Sequence, residues 1–182
     1  PSNFGGAGNE NRPVEMVNWN EAVAFCSQLT TEERNAGRIP PDWEYQLPTE
    51  SQWEYACRAG TTTMYSWGNS ITDTNANYNW DGGTTDGNDF KQTRDVGKYS
   101  PNPWGFFDMH GNVWEWTADA YQASYPLGNP VINPTNPGTL DSTRVTRGGS
   151  WYSNVTGLRS AKRGNPSPGN RINYIGFRLS LQ

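Results

Sequence analysis

Long apolar runs are missing from this sequence. Nothing in its 182 residues approaches the roughly 20 consecutive apolar residues of a membrane-spanning helix. Histidine is nearly absent too. His110 stands alone, which excludes multi-histidine metal centres and leaves any Ser-His-Asp scheme a single base. Two cysteines, Cys26 and Cys57, are too few for a disulfide scaffold. One bridge and two buried thiols are equally open readings, so the compartment stays open as well. Charged residues reach only 18% and hydrophobic residues 33%. The chain opens at Pro1 without a signal-peptide pattern, so any targeting segment is expected to have been lost or never included.

What is abundant changes the meaning of those absences. Aromatic residues make up 13%, with nine Trp and nine Tyr. Disordered chains are poor in such residues. Twenty Gly and thirteen Pro punctuate a chain that turns often. The composition therefore describes one folded, loop-rich domain whose apolar area comes from rings.

The net charge of −4 is unevenly placed. Residues 142–182 carry Arg144, Arg147, Arg159, Lys162, Arg163, Arg171 and Arg178 and no acid. Basic residues spaced singly among Gly, Ser and aromatics suit inward ion pairs with the acidic body better than a nucleic-acid arm. No nucleic-acid partner is expected.

Local signals mark two helices. Asn18 with Glu21 forms an N-x-x-E capping box ahead of Trp19, and Ala22, Val23, Phe25, Cys26 and Leu29 keep helical spacing. Thr49 with Gln52 caps a second helix, and Gly60 stands where a left-handed C-terminal cap is expected. Beyond residue 60, short aromatic patches alternate with Gly, Asn, Asp and Pro, which predicts short antiparallel strands and long structured loops. The fold class is α+β.

The ordered strings PVEMVNWNEAVAFC, LPTESQWEYACRAG, YSWGN, WGFFDMHGNVWEW, RGGSW and GFRL resemble the formylglycine-generating, sulfatase-modifying-factor family. The resemblance implies a variant of the C-type lectin fold in one domain over 1–182. It also implies that the N-terminal part of the family's domain lies before this chain. In the enzyme branch two cysteines after the GGS element oxidise a substrate cysteine. Their positions here are Ser153 and Leu158. Neither supplies the thiolate needed to bind copper(I) or exchange disulfides, so no enzyme is expected. The alternative is a formylglycine-generating-type oxidase that acts on protein cysteine with a different residue set. A structural or assembly role without a specific ligand is a third.

Residues 147–180 also resemble the C-terminal variable region of proteins diversified by retroelements, including treponemal variable proteins on the same lectin-like fold. In such systems template adenines are randomised. The resemblance implies fixed words at Gly148–Trp151, Leu158–Ala161, Arg171 and Gly176–Leu179. It implies a ligand-binding surface at Tyr152, Ser153, Asn154, Thr156, Gly157, Gly164, Asn165, Pro166, Ser167, Asn170, Ile172, Asn173 and Tyr174. Tyr offers large contact area with few torsions to freeze, while Ser, Asn and Gly adapt. The ligand implied is macromolecular, most simply a protein. The location implied is the cell surface, through a lipid anchor that this chain lacks. Tyr152 and Tyr174 are the expected energetic anchors.

The family resemblance further implies a structural calcium at WGFFDMHGNVWEW, held by side chains of Asp108 and Glu115 and carbonyls of Gly111 and Val113. Oxygen ligands suit that hard cation. The competing reading pairs Asp108 and Glu115 with backbone amides or an Arg. No cofactor is required for binding. A second calcium site would map near Asn77, Tyr78 and Phe90, with Asn88 or Asp89 as its acid. Asp108 with Glu115 as an acid/base pair, and Asn154-Val155-Thr156 as a glycosylation acceptor, are weaker matches.

Overall fold

The computed structural model describes residues 2–79, 91–124 and 134–182. Helix α1 (Trp19–Asn35) starts at the predicted box: the Asn18 side chain accepts from Glu21 N, and Glu21 answers to Asn18 N. Helix α2 (Glu50–Arg58) is capped in the same way by Thr49 and Gln52. Its left-handed terminal residue is Ala59 (φ 47°), one position before the expected Gly60, although Gly60 is also at positive φ.

Strands β1 (Tyr45–Gln46), β2 (Trp114–Ala120), β3 (Arg144–Arg147), β4 (Ile175–Phe177) and β5 (Ser180–Leu181) form two small sheets. The first pairs β1 with β5 antiparallel. The second has the order β3-β2-β4. Here the expectation of antiparallel strands fails in one place, because β2 and β4 run parallel. The long connection between them, which contains β3 and the loops after it, lets β4 return in the same direction. Trp114–Trp116 enter β2 and Ile175–Phe177 form β4, while the aromatic residues at 65–67, 104–107 and 151–152 lie outside these strands.

Strand alternation divides the core. Trp116, fully buried, packs with Ala22 and Cys26 of α1, Leu47 and Ile175. Glu115 points the other way, where its carboxylate accepts a hydrogen bond from Trp53 Nε1 of α2 at 2.6 Å. Trp53, Cys57 and Met109 form the core on that side. A third cluster of Tyr65, Ala76, Tyr78 and Leu158 lies under the tail. Cys26 and Cys57 are both buried and free, which closes the question of a bridge in favour of two thiols.

Candidate binding surface

The tail begins at Gly148-Gly149, with φ of 95° and 75°. A Cβ on Gly148 would lie 3.1 Å from the Trp53 ring, and one on Gly149 2.8 Å from the Gly157 carbonyl. Only glycine meets both the torsion and the space. From there the backbone is tied down at short intervals. Trp151 N donates to Asn112 O, Asn79 N to Ser153 O, Ser160 N to Met64 O, Trp19 N to Pro168 O, Met16 N to Ile172 O and Trp114 N to Tyr174 O. Gly164 pairs with Thr146, and Arg144 N donates to Pro166 O.

The basic residues of the tail reinforce those ties, as the charge pattern predicts. Arg147, fully buried, pairs with Glu54 and Glu50 of α2 and donates to Lys162 O. Arg163 holds Glu50 through both carboxylate oxygens, at 2.6 and 2.8 Å. Arg171 does the same to Glu21 of α1, where the guanidinium holds the Glu21 carboxyl down to about 2. Arg178 grips Glu115 of β2 at 2.5 and 2.7 Å. Arg144 donates to three backbone carbonyls and lies over the Trp19 ring.

Side chains between these ties are on the outside. Tyr152 is 62% exposed; Asn154, Thr156, Asn165 and Ser167 are exposed; Ser153, Gly164, Pro166, Asn170, Ile172, Asn173 and Tyr174 are half-buried. The rings of Tyr152 and Tyr174 stack at 5.7 Å and 16°. Trp151 meets both edge-on, and its Nε1 donates to Asn173 O. Two expected positions cannot vary freely. Gly157 is buried, with an added Cβ 2.9 Å from Ser153 Cβ. A Cβ on Gly164 would overlap Thr146 Oγ1. Ile172 and Tyr174 also pack against the α1-side core, so Tyr174 supports the fold as well as the surface. Asn154 caps a short 3-10 turn over Val155–Leu158 and accepts from Thr156 Oγ1 and Gly157 N.

Phe4 joins this surface unforeseen. Its ring meets Trp151 at 5.7 Å, and its N–H donates to Glu15 Oε1 at 2.9 Å. Glu15 is fully buried, and that burial pushes its carboxyl up. A lone aromatic in a Gly-rich opening loop was the available signal; its partner lies almost the whole chain away.

The sites of the enzyme branch's thiols hold no sulfur. The Ser153 hydroxyl accepts from Ser150 N at 3.1 Å, and Leu158 is fully buried. Cys57 lies 3.5 Å from His110 Nε2, which superficially suggests a nucleophile and base. Nε2 also accepts from Ser66 N, and Nδ1–H donates to Leu158 O at 2.7 Å. Burial pushes the Cys57 thiol up to about 12 and the His110 ring down to about 4. A thiol and a neutral imidazole under cover are poorly placed for thiolate chemistry.

Asp108, Gly111, Val113 and Glu115 line one cavity of about 410 Å³, together with Arg178. Asp108, at φ 55°, accepts from Gly97 N at 2.7 Å, and burial raises its carboxyl. Both oxygens of Glu115 serve Arg178 and Trp53. The pairing reading of Glu115 thus holds. Among the described residues no three His, Cys, Asp or Glu side chains gather as a metal site. Asp108 and the backbone at Gly111 and Val113 offer oxygens of the kind a hard cation takes, whereas both Glu115 oxygens are already committed to Arg178 and Trp53. For the second calcium site, Asn77 and Tyr78 are buried, and Asn77 Nδ2 donates to Gln92 O and Asn112 Oδ1. Asn88, Asp89 and Phe90 lie outside the described residues.

Comparison with known proteins agrees with this geometry. A family model described as the sulfatase-modifying factor enzyme 1-like domain matches residues 3–182. This chain belongs to that family. The formylglycine-generating enzyme of Mus musculus is 33% identical over 180 residues, covering 93% of this chain and 44% of that protein. The protein named inactive C-alpha-formylglycine-generating enzyme 2 of the same organism is also 33% identical, over 179 residues, covering 92% of this chain and 48% of that protein. The chain spans about half the length of the curated relatives it matches. The solved structure of Treponema denticola variable protein 1 has a TM-score of 0.78 at 30% identity, covering all of this chain and 76% of that one. The fold is the α+β, C-type lectin-like fold of the sulfatase-modifying factor family. No described helix is long and apolar enough to cross a membrane.

Proposed function

We propose that this family member is a non-enzymatic binding protein whose tail, residues 147–180, displays an exchangeable surface to a macromolecular ligand. The observation that carries the reading is the separation of roles along the tail. Backbone and arginines are pinned to α1, α2 and β2, while Tyr152, Asn154, Thr156, Asn165 and Ser167 face out between the pins. A stiff frame matters because ordering a loose loop costs roughly 0.5–1.5 kcal/mol per immobilised side chain. Ser153 with Tyr152 and Tyr174 places an aromatic anchor beside small adaptable groups. Likeness to a structure named a variable protein supports the same reading. So do the missing thiols at Ser153 and Leu158.

A protein ligand and display at a cell surface go with this reading. A structural calcium at Asp108 and Glu115, with carbonyls of Gly111 and Val113, would steady the loop that carries Asn112, to which Trp151 is bonded. It would take no part in binding chemistry.

The test is a display library that randomises Tyr152, Ser153, Asn154, Thr156, Asn165, Ser167, Asn170 and Asn173 and is selected against an unrelated protein such as lysozyme. Folded binders with melting temperatures within a few degrees of the parent are expected. A library that is mostly unfolded would overturn the reading. Relatives named as formylglycine-generating enzymes favour the oxidase alternative. Incubation with copper(I) and a sulfatase-derived Cys peptide separates the two, because conversion of thiol to aldehyde would establish the oxidase.

A further inference from the structure

We infer that the groove beside the start of α2 is a calcium-independent site for a neutral pyranose saccharide, with Tyr55 as its stacking ring. The groove measures about 660 Å³ and is lined by Gln46, Thr49, Ser51, Gln52, Tyr55 and Gln182, with Pro134 and Thr135 along one wall. That size lies within the range of about 300–1,000 Å³ usual for small-ligand sites. Among the described residues that line it there is no Asp, Glu, Lys or Arg. Phosphate, carboxylate and ammonium ligands therefore find no charged side chain among those described residues.

The lining chemistry is that of a sugar's complement. A pyranose has an edge of hydroxyls, each both donor and acceptor, and faces of C–H bonds. Carboxamides are the neutral side chains that offer donor and acceptor at fixed separation, and three of them line this groove. Their geometry is set in advance. Gln52 Oε1 accepts from Thr49 N at 2.8 Å as part of the helix cap. Gln52 Nε2 then donates to Gln182 Oε1 at 2.7 Å, so Gln182 offers its own N–H groups. Thr49 and Ser51 add hydroxyls.

The ring is mounted as firmly. Tyr55 is 69% exposed and meets Trp104, itself 45% exposed, edge-on at 4.8 Å. Buried Asn102 fixes that neighbour. Its Nδ2 donates to Ala56 O and Cys57 O of α2, while its Oδ1 accepts from Trp104 N and Phe106 N. Two exposed rings so constrained form a rigid apolar step next to a row of amides. Preorganisation of this kind reduces the cost of binding.

The tail platform shares no residue with this groove, so the two readings fail separately. Isothermal titration of the full chain with chitotetraose and with cellotetraose, in a chelator, tests it. Saturable binding of at least one of them is expected, with a Kd on the order of 0.1–1 mM. Tyr55→Ala should weaken that binding about tenfold or more with the melting temperature nearly unchanged, because the ring is exposed. Gln182→Ala should weaken it several-fold, and Tyr152→Ala should leave it intact. No heat with either sugar up to about 10 mM, a range that reaches Kd values worth only a few kcal/mol, would overturn the assignment. Binding indifferent to Tyr55→Ala would overturn it equally.

Discussion

Replacing Arg178 by Met isolates the rigidity on which the tail platform depends. Arg178 follows β4 and holds both oxygens of Glu115, at 2.5 and 2.7 Å, while its Nη2 also donates to Phe107 O. The Glu115 side chain is only 7% exposed. In Arg178→Met the apolar stem is retained, and what is lost is the partner charge together with the bond to Phe107 O. Glu115 is left with the Trp53 N–H. Removing one member of a buried pair typically costs about 3–5 kcal/mol, because a desolvated charge is stranded. For a domain of this size that is a fall in Tm of roughly 6–20 °C. The double variant Arg178→Met/Glu115→Gln keeps a neutral acceptor for Trp53 and should recover more than half of the loss. Urea unfolding followed by circular dichroism measures both. A single variant within about 1 kcal/mol of the parent would match an exposed pair and refute the idea that β4 and the tail are riveted through this carboxylate.

Three further outcomes follow from particular contacts. Because burial pushes His110 down to about 4, against 6.5 for a free ring, the unfolded chain takes up a proton that the folded one refuses between those values. Stability should fall as pH drops from about 6.5 to about 4, by up to about 3 kcal/mol from this residue, and His110→Gln should remove that part of the pH dependence of Tm. Gly164→Asn should unfold or destabilise the protein by about 2 kcal/mol or more, since overpacking in a filled site typically costs about 1–3 kcal/mol and the new Cβ meets Thr146. The neighbouring exposed Asn165→Tyr should change stability by less than about 0.5 kcal/mol; equal effects at the two positions in chemical denaturation would contradict the geometry. Calcium should raise Tm by a few degrees and a chelator should reverse it, with Asp108→Asn abolishing the response. An indifferent parent protein would mean that Arg178 and backbone amides alone neutralise the two carboxylates.

Features set by neighbours in sequence were legible in the sequence alone. The boxes at Asn18/Glu21 and Thr49/Gln52 each close within one helical turn, so residue identity and spacing suffice to define them. The absence of sulfur at Ser153 and Leu158 was equally plain, because residue identity alone states it. The scatter of basic residues after Ser142, with no acid among them, already indicated that their partners lie elsewhere in the chain.

Which partners they are, only the fold decided. Arg147 and Arg163 reach α2, Arg171 reaches α1 and Arg178 reaches β2, across separations that no local pattern encodes. The same holds for the parallel pairing of β2 with β4 and for the contact of Phe4 with Trp151. Gly157 and Gly164 read as freely exchangeable in sequence, yet space is denied them by Ser153 and Thr146. Local hydrogen-bond geometry wrote the helix starts into the sequence. Close tertiary packing, where a single Cβ either fits or overlaps, decided which tail positions have room for a larger side chain.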